Sequence, residues 1–243
     1  METPKVVATA AIEAMGLTKR FGPITAVDAL DLALPAGRIY GLLGPNGSGK
    51  TTLIRLLVGL ARPTAGTSSV LGVRMPSREN LARIGYMTQS DGLYTDLSVW
   101  ENLRFFAALS GTGDTGAMNE VLDIVELAGR RRTPVHELSG GMRRRLSLAC
   151  ALVHQPTVLF LDEPTVGIDP ALRVQFWSHF HRLADAGATV IVTSHAMDEA
   201  DRCDELLLML GGRLLARGSS AEIRQQAGTT SIEDAFLRLG ETQ

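Results

Sequence analysis

Ile39-Tyr40-Gly41-Leu42-Leu43-Gly44-Pro45-Asn46-Gly47-Ser48-Gly49-Lys50-Thr51-Thr52-Leu53 is the stretch on which the fold turns. Ile39, Tyr40, Leu42 and Leu43 read as a short apolar strand. It runs into a glycine-rich loop, Gly44 to Thr51, spaced G-x-x-x-x-G-K-[ST]. From Thr52 to Leu60 the apolar residues Leu53, Leu56, Leu57 and Leu60 share one helical face, and Arg62-Pro63-Thr64 ends the run. Strand, loop and helix in that order form a phosphate cradle. Glycines let backbone N–H groups turn around a β-phosphate with no Cβ in the way. The helix aims its positive end at the same anion. Lys50 supplies a charge for the β- and γ-phosphates, and Thr51 a hydroxyl for Mg²⁺. The motif predicts a magnesium-dependent nucleoside-triphosphatase.

Outward from the loop, the composition suits a globular core. Of 243 residues, 45% are hydrophobic and 21% charged. The net charge of -2 argues against a nonspecific grip on nucleic acid, so no nucleic-acid partner is expected. Cys150 and Cys203 are far apart and lack metal-ligand spacing, which fits a reducing compartment. Met1 to Glu13 does not read as a signal peptide. The longest purely apolar run, Leu206 to Leu210, falls far short of the ~20 residues that span a bilayer. A chain of this kind would need a partner to hold it at a membrane.

Three regions follow from the periodicities. Up to about Ala33, short alternating stretches such as Ile24 to Asp28 predict a small sheet. From about Asp91 to Val153 the chain reads as helical without strands. There Ser98 and Glu101 form a capping box, Gly111 to Gly116 a turn, and Met118, Val121, Leu122 and Val125 a buried face. Met142, Leu146, Ala149, Cys150 and Val153 form another such face. Alternation then resumes. Val158–Leu161 and Thr189–Thr193 read as buried strands. Asp169-Pro170 starts a helix carrying Leu172, Phe176, Phe180 and Leu183. Glu205–Met209 and Arg213–Arg217 read as a hairpin around Gly211-Gly212, and Ile232, Ala235, Phe236 and Leu239 as a short last helix. The expected fold is α/β, a phosphate-loop core with an N-terminal antiparallel β subdomain and an inserted helical subdomain.

Two further clusters carry chemistry. The strand Val158 to Leu161 ends in Asp162-Glu163, where an open α/β sheet places its ligand. Side-chain alternation lets Asp162 face Mg²⁺ while Glu163 points toward the γ-phosphate to activate water. Leu138-Ser139-Gly140-Gly141-Met142 precedes a helix, with Ser139 as its N-cap. Arg143, Arg144 and Arg145 stand in the first turn against the helix dipole, so they are either a second anion-binding helix end or a solvated basic face.

With these residues in view the chain resembles the nucleotide-binding subunit of ATP-binding-cassette (ABC) transporters from about Ile12 to Leu239, as a single domain with 91–153 inserted and 1–11 as a tail. The resemblance implies ATP and Mg²⁺ as cofactors. It implies that the phosphate loop (Gly44, Pro45, Asn46, Gly47, Ser48, Gly49, Lys50, Thr51 and Thr52) holds the nucleotide, and that Phe21 stacks on adenine. Gln89 would link Mg²⁺ to a transmembrane partner, and His195 would hydrogen-bond the γ-phosphate. Leu138 to Met142 resembles the family signature, which closes over the nucleotide of a second subunit through Ser139 and Gly141. Asp169 resembles the aspartate that communicates between subunits. The usual signature glutamine is replaced by Met142, which removes that side chain's hydrogen bonds but spares Ser139 and the backbone.

The resemblance further implies a homodimer on a polytopic permease at the cytoplasmic face of the cell membrane. Met142 with its three arginines, Thr88-Gln89 before Leu93-Tyr94, and Ser231 to Phe236 resemble exporter-type subunits. The surface from Gln89 to Trp100 is expected to dock the permease, with charge reversal at Asp91 and Asp96 as its test. Two other readings are weighed. A soluble ribosome- or DNA-directed relative would carry two cassettes or long coiled coils, and neither is seen. An inactive regulatory cassette would lack Glu163 or His195, and both are present. No Asn-Lys-x-Asp stretch for reading guanine is present.

Overall fold

The computed structural model describes residues 10–90, 92–195 and 197–241. In chain order β1 (Ala10–Phe21) and β2 (Ile24–Pro35) form an antiparallel hairpin, followed by β3 (Ile39–Leu43) and α1 (Lys50–Leu57). Then come β4 (Ala65–Val70), β5 (Val73–Arg74) and β6 (Ile84–Met87). Three helices follow, α2 (Val99–Leu109), α3 (Thr115–Ile124) and α4 (Gly140–Leu152). The core resumes with β7 (Val158–Asp162), α5 (Pro170–Asp185) and β8 (Thr189–Ser194). The chain closes with β9 (Glu205–Leu210), β10 (Arg213–Gly218), α6 (Ser220–Ala227) and α7 (Ile232–Gly240).

Two sheets result, one of order β2-β1-β4-β5 and one of order β10-β9-β3-β8-β7-β6. In the second, β9, β3, β8, β7 and β6 run parallel, and β10 returns antiparallel. The strands β3, β7 and β8 are buried along their whole length. That is why they read as continuous apolar runs, as strands covered on both faces must. Helix α1 fills the space between the sheets. Leu53, Ile54, Leu56 and Leu57 join a core with Ile12 and Leu17 of one sheet and Leu42, Phe160 and Ile191 of the other. Each such side chain contributes about 1.5–3 kcal/mol by leaving water. On the opposite face of the parallel sheet lie α4 and α5, in one core with the buried sides of α2 and α3.

The local signals that predict helix starts hold. Ser98 and Glu101 form the reciprocal capping box of α2, Ser139 caps α4 through the Met142 amide, and Asp169 caps α5 through the Leu172 amide. The hairpin β9–β10 and the helix α7 also lie where expected.

Several expectations need correction. Helix α1 starts at Lys50 and ends at Leu57, because Gly59 takes φ 80° just beyond the cap. Leu60 therefore leaves the predicted face and is 67% exposed. The strands β4, β5 and β6 and the helix α6 were not anticipated. The N-terminal sheet is thus a four-stranded one that borrows two strands from beyond the phosphate loop. The expected turn at Gly111–Gly116 ends early. Asp114 caps α3, and Gly116 lies in its first turn. Strand β1 begins at Ala10, two residues inside the expected tail, and the helices of the insertion begin at Val99. Asp91, where the insertion and its docking test were placed, lies outside the described residues, as does most of the 1–11 tail.

Candidate functional site

The phosphate loop is wedged between β2 and the β9–β10 turn. The Gly212 amide donates to the Ser48 carbonyl at 3.0 Å, and the Asp28 amide donates to the Gly212 carbonyl at 2.9 Å. A Cβ on Gly44 would lie 2.2 Å from the Met209 carbonyl oxygen, and one on Gly49 2.1 Å from that of Ala26. Gly49 also holds φ 103°, a conformation that costs L-residues dearly. The backbone is thereby fixed as a concave cradle ahead of α1.

Lys50 is buried and turns back over this cradle, its Nζ donating to the carbonyls of Gly44 at 2.6 Å and Pro45 at 3.0 Å. Burial pulls its ammonium below the ordinary lysine range, and Glu163 and then Asp162 oppose that shift. The Ser48 hydroxyl beside it is buried and has no protein partner.

The acid pair sits at the end of β7, as the strand reading requires. Thr193 on β8 donates its hydroxyl to Asp162 Oδ1 at 2.6 Å and accepts the Glu163 amide at 2.9 Å. Asp162 Oδ2 is buried and has no protein partner. A buried carboxylate oxygen in that state is costly unless a cation or water completes it. Glu163 holds φ 55°, worth about 1–3 kcal/mol of strain in a non-glycine residue, a cost typical of functional positions. Its Oε1 stands 3.3 Å from His195 Nδ1, which donates to it as the N–H tautomer. His195 remains half-exposed while Glu163 is largely covered.

One cavity of about 390 Å³ gathers Phe21, Asn46, Gly47, Gly49, Lys50, Thr51, Thr52, Gln89 and Glu163. Phe21 is 54% exposed, with Lys19 Nζ 4.9 Å from its ring centre, so it is a ring offered at the cavity rim and not a core aromatic. Ser139, Gly141, Asp169 and His195 do not line this cavity. Ser139 and Asp169 are exposed at the N-termini of α4 and α5. Met142 is partly buried against the helical core, and its amide serves the Ser139 cap. Its side chain is therefore spent on packing.

The three arginines do not form a solvated basic face. Arg143 donates to the Leu138 carbonyl, and Arg145 to the Val125 carbonyl at the end of α3, a site favoured for positive charge. Arg144 is buried and donates to the carbonyls of Thr88, Gln89, Asp162 and Glu163. It is the residue that the sequence reading missed. The signal lay in its spacing, since Leu148 and Ala151 follow it at i+4 and i+7 and place it on an apolar face.

The residues fit Mg²⁺ and a nucleotide. The orphaned Asp162 oxygen and the Thr51 hydroxyl supply hard oxygen donors, and the glycine cradle leaves room for phosphate. Among the described residues no three His, Cys, Asp or Glu side chains cluster for a metal. The donor set thus suits an ion that keeps water and phosphate ligands.

A second cavity of about 420 Å³ opens between β6 and α2, bordered by Leu93, Phe106 and Leu109. Tyr94 and Phe105 stack edge-on beside it at 4.7 Å, both exposed. Buried Asn102 holds this loop, accepting from the Tyr94 amide and donating to the Tyr94 and Ser98 carbonyls.

Comparison with known proteins agrees with this geometry. The ABC transporter family profile matches residues 27–166. The chain is 41% identical over 238 residues to a probable multidrug ABC transporter ATP-binding protein of Escherichia coli strain K12, covering 94% of this chain and 41% of that one. It is 43% identical over 216 residues to a Nod factor export ATP-binding protein of Neorhizobium galegae, covering 86% of this chain and 62% of that one. The chain thus spans less than two-thirds of the length of these relatives. A solved ATP-binding subunit of an ABC transporter superposes with a TM-score of 0.87 at 25% identity, covering 95% of this chain and 99% of that one. The cradle, the acid pair and the capped Ser139 helix thus occur in the order and on the fold of one family, and the chain belongs to it, as an ATP-binding cassette of the ABC transporter family.

Proposed function

We propose that the chain is a magnesium-dependent ATPase subunit that pairs with a second cassette around two ATP molecules and drives export through a separate permease. The observation that carries this reading is the division of the site. The cavity unites the phosphate loop, Phe21, Gln89 and Glu163, while Ser139 and Gly141 do not line it and Ser139 is open to solvent. A second chain would bring its own Ser139 and Gly141 over this cavity, and the homodimer is the simplest such pair.

Phe21 stacks on the base. The loop amides and Lys50 bind the β- and γ-phosphates, with Thr52 at the helix end beside them. Thr51 and Asp162, with Gln89 alongside, would hold Mg²⁺, which would supply charge neutralisation at the phosphate oxygens. Glu163 takes the proton of the attacking water at Oε2, the oxygen that His195 leaves free. His195 orients that carboxylate through Nδ1, and a second ring proton, on Nε2, would let it donate to the γ-phosphate as well. Asp169, at the exposed start of α5, faces the other subunit.

The apolar groove beside Tyr94, Phe105 and Leu109 would seat a cytoplasmic helix of the permease, placing the subunit on the cytoplasmic face of the membrane. Among the described residues no helix is long and apolar enough to cross a membrane. Export rather than uptake is supported by the names of the relatives, one a probable multidrug protein and one a Nod factor exporter.

The test is ATP hydrolysis by the purified chain with Mg²⁺, beside Glu163→Gln, with size followed by light scattering. Turnover is expected to drop at least about 100-fold in the variant, which should become an ATP-dependent dimer. A variant that keeps normal turnover, or stays monomeric with ATP, would sink the assignment of Glu163 or of the paired site.

A further inference from the structure

Arg144 stands five residues beyond Ser139 on the same helix and is 8% exposed. Its Nη1 donates to the Thr88 carbonyl at 3.1 Å and the Gln89 carbonyl at 2.7 Å. Its Nη2 donates to the Asp162 carbonyl and, at 2.6 Å, to the Glu163 carbonyl. These four oxygens lie at or just beyond the C-terminal ends of β6 and β7. One planar guanidinium therefore joins three separate pieces of chain. A lysine presents all its donors from a single atom and cannot bridge two loops in this way.

The two loops carry Gln89 and Glu163. The Glu163 backbone is held on both sides of its Cα, its amide by Thr193 of β8 and its carbonyl by Arg144 of α4. It keeps φ 55° between those two anchors. The N-terminal end of α4 is the exposed Ser139-Gly140 terminus, only ~7 Å from Arg144 along the helix axis. A helix over so short a span moves as a rigid piece.

We propose that Arg144 is a positioning residue that ties the placement of the Ser139 end of α4 to the Gln89 and Glu163 loops. The roles of Gln89 and Glu163 rest on the function proposed above, whereas the mechanical link does not. A shift of α4 displaces the carbonyls of both loops together. It thereby re-aims the carboxylate that activates water. Arg144 itself touches no substrate and acts through those two residues.

The full chain with Arg144→Lys and Arg144→Gln tests this. Titration with a fluorescent ATP analogue counts the nucleotide-competent molecules, so misfolded protein is removed from the comparison, and the lysine variant retains the cation and the stem. Because the phosphate cradle is untouched, affinity for the analogue and KM should stay within about 3-fold, while kcat per competent site falls about 10- to 100-fold. A purely structural arginine would lower the melting temperature and the number of competent sites, with kcat per site unchanged, and that result overturns the proposal. Amide hydrogen exchange reads the link without turnover. The amides of residues 88–90, Glu163 and Thr165 should exchange faster together in both variants, with the phosphate loop unaffected. Unchanged exchange in the two loops overturns the proposal as well. A wild-type chain that never hydrolyses Mg-ATP, but whose variants show the paired acceleration, retains the link and loses the ATPase reading.

Discussion

A methyl group at Gly44 or Gly49 would collide with a backbone carbonyl at 2.2 or 2.1 Å, whereas one at Gly140 would meet only the tip of Arg143 at 4.0 Å. At Gly141 the nearest neighbour is the Gly167 carbonyl at 3.4 Å, an ordinary contact. Both segments are glycine-rich, and both open a helix. In the phosphate loop the chain's own packing and a φ of 103° at Gly49 demand glycine. At the start of α4 nothing among the described residues does. Alanine would even favour the helix there. The contrast teaches that the first segment is shaped by its own fold, whereas the second keeps glycines that this fold does not require.

The largest expected effect comes from Gly49→Ala. It adds left-handed strain to a clash with backbone that cannot swing away, and should cost about 4 kcal/mol in urea unfolding while abolishing nucleotide binding. Normal binding by that variant would erase the contrast at its strong end.

The contrast would be trivial if α4 sat in a loosely seated region, and His179 checks this. It lies on α5, nearly buried, at a cavity bordered by α3 and by Leu152 and Val153 from the end of α4. Burial, then Arg182, lowers its pKa from 6.5 to about 4. An unfolded chain takes up a proton near pH 6.5 that the folded chain refuses until about pH 4. Stability contributed by the neutral ring is therefore complete above pH 6.5 and is lost as pH falls toward 4, by up to about 3 kcal/mol. Unfolding curves of the wild type and His179→Gln should diverge in slope across that window. Parallel curves would mean that this seam is open to water.

Smaller effects sharpen the weak end. Ser139→Ala removes the cap of α4 and should cost about 1 kcal/mol. Gly141→Ala should instead stabilise the isolated chain by roughly 0.5 kcal/mol, because a helix position is filled without a clash. The same substitution should weaken ATP-driven dimerisation of Glu163→Gln in light scattering. A Gly141→Ala chain that dimerises as well as its parent would leave the open glycines without a purpose.

The same division explains what could be read from sequence. The phosphate loop, the Asp162-Glu163 pair and the caps at Ser98, Ser139 and Asp169 were legible, because each requires particular residue types at fixed spacing. The strands β4 and β6 were not. Ala65–Val70 is mostly small and polar, Ile84–Met87 is four residues long, and both are strands only because neighbours pair with them. The helix α6 was missed although Ser219 and Glu222 form the same capping box that revealed α2. Leu60 was misplaced because periodicity continued past a glycine that the backbone used to turn. Arg144 resisted for a different reason. It stands between two arginines of the same type, and its partners are carbonyls, which every residue carries and no sequence distinguishes.

The Gly212 amide on the Ser48 carbonyl has a consequence for how the protein is made. The loop that defines the nucleotide site is braced by a turn more than half the chain away. Neither the Met209 carbonyl that confines Gly44 nor the Gly212 amide exists until β9 and the turn after it have been synthesised. Bracing between such distant segments forms late in folding. A nascent chain halted before residue 205 would carry the whole phosphate-loop sequence and still lack the shape that holds phosphate, so ribosome-bound fragments should acquire ATP binding only once the β9–β10 hairpin has emerged.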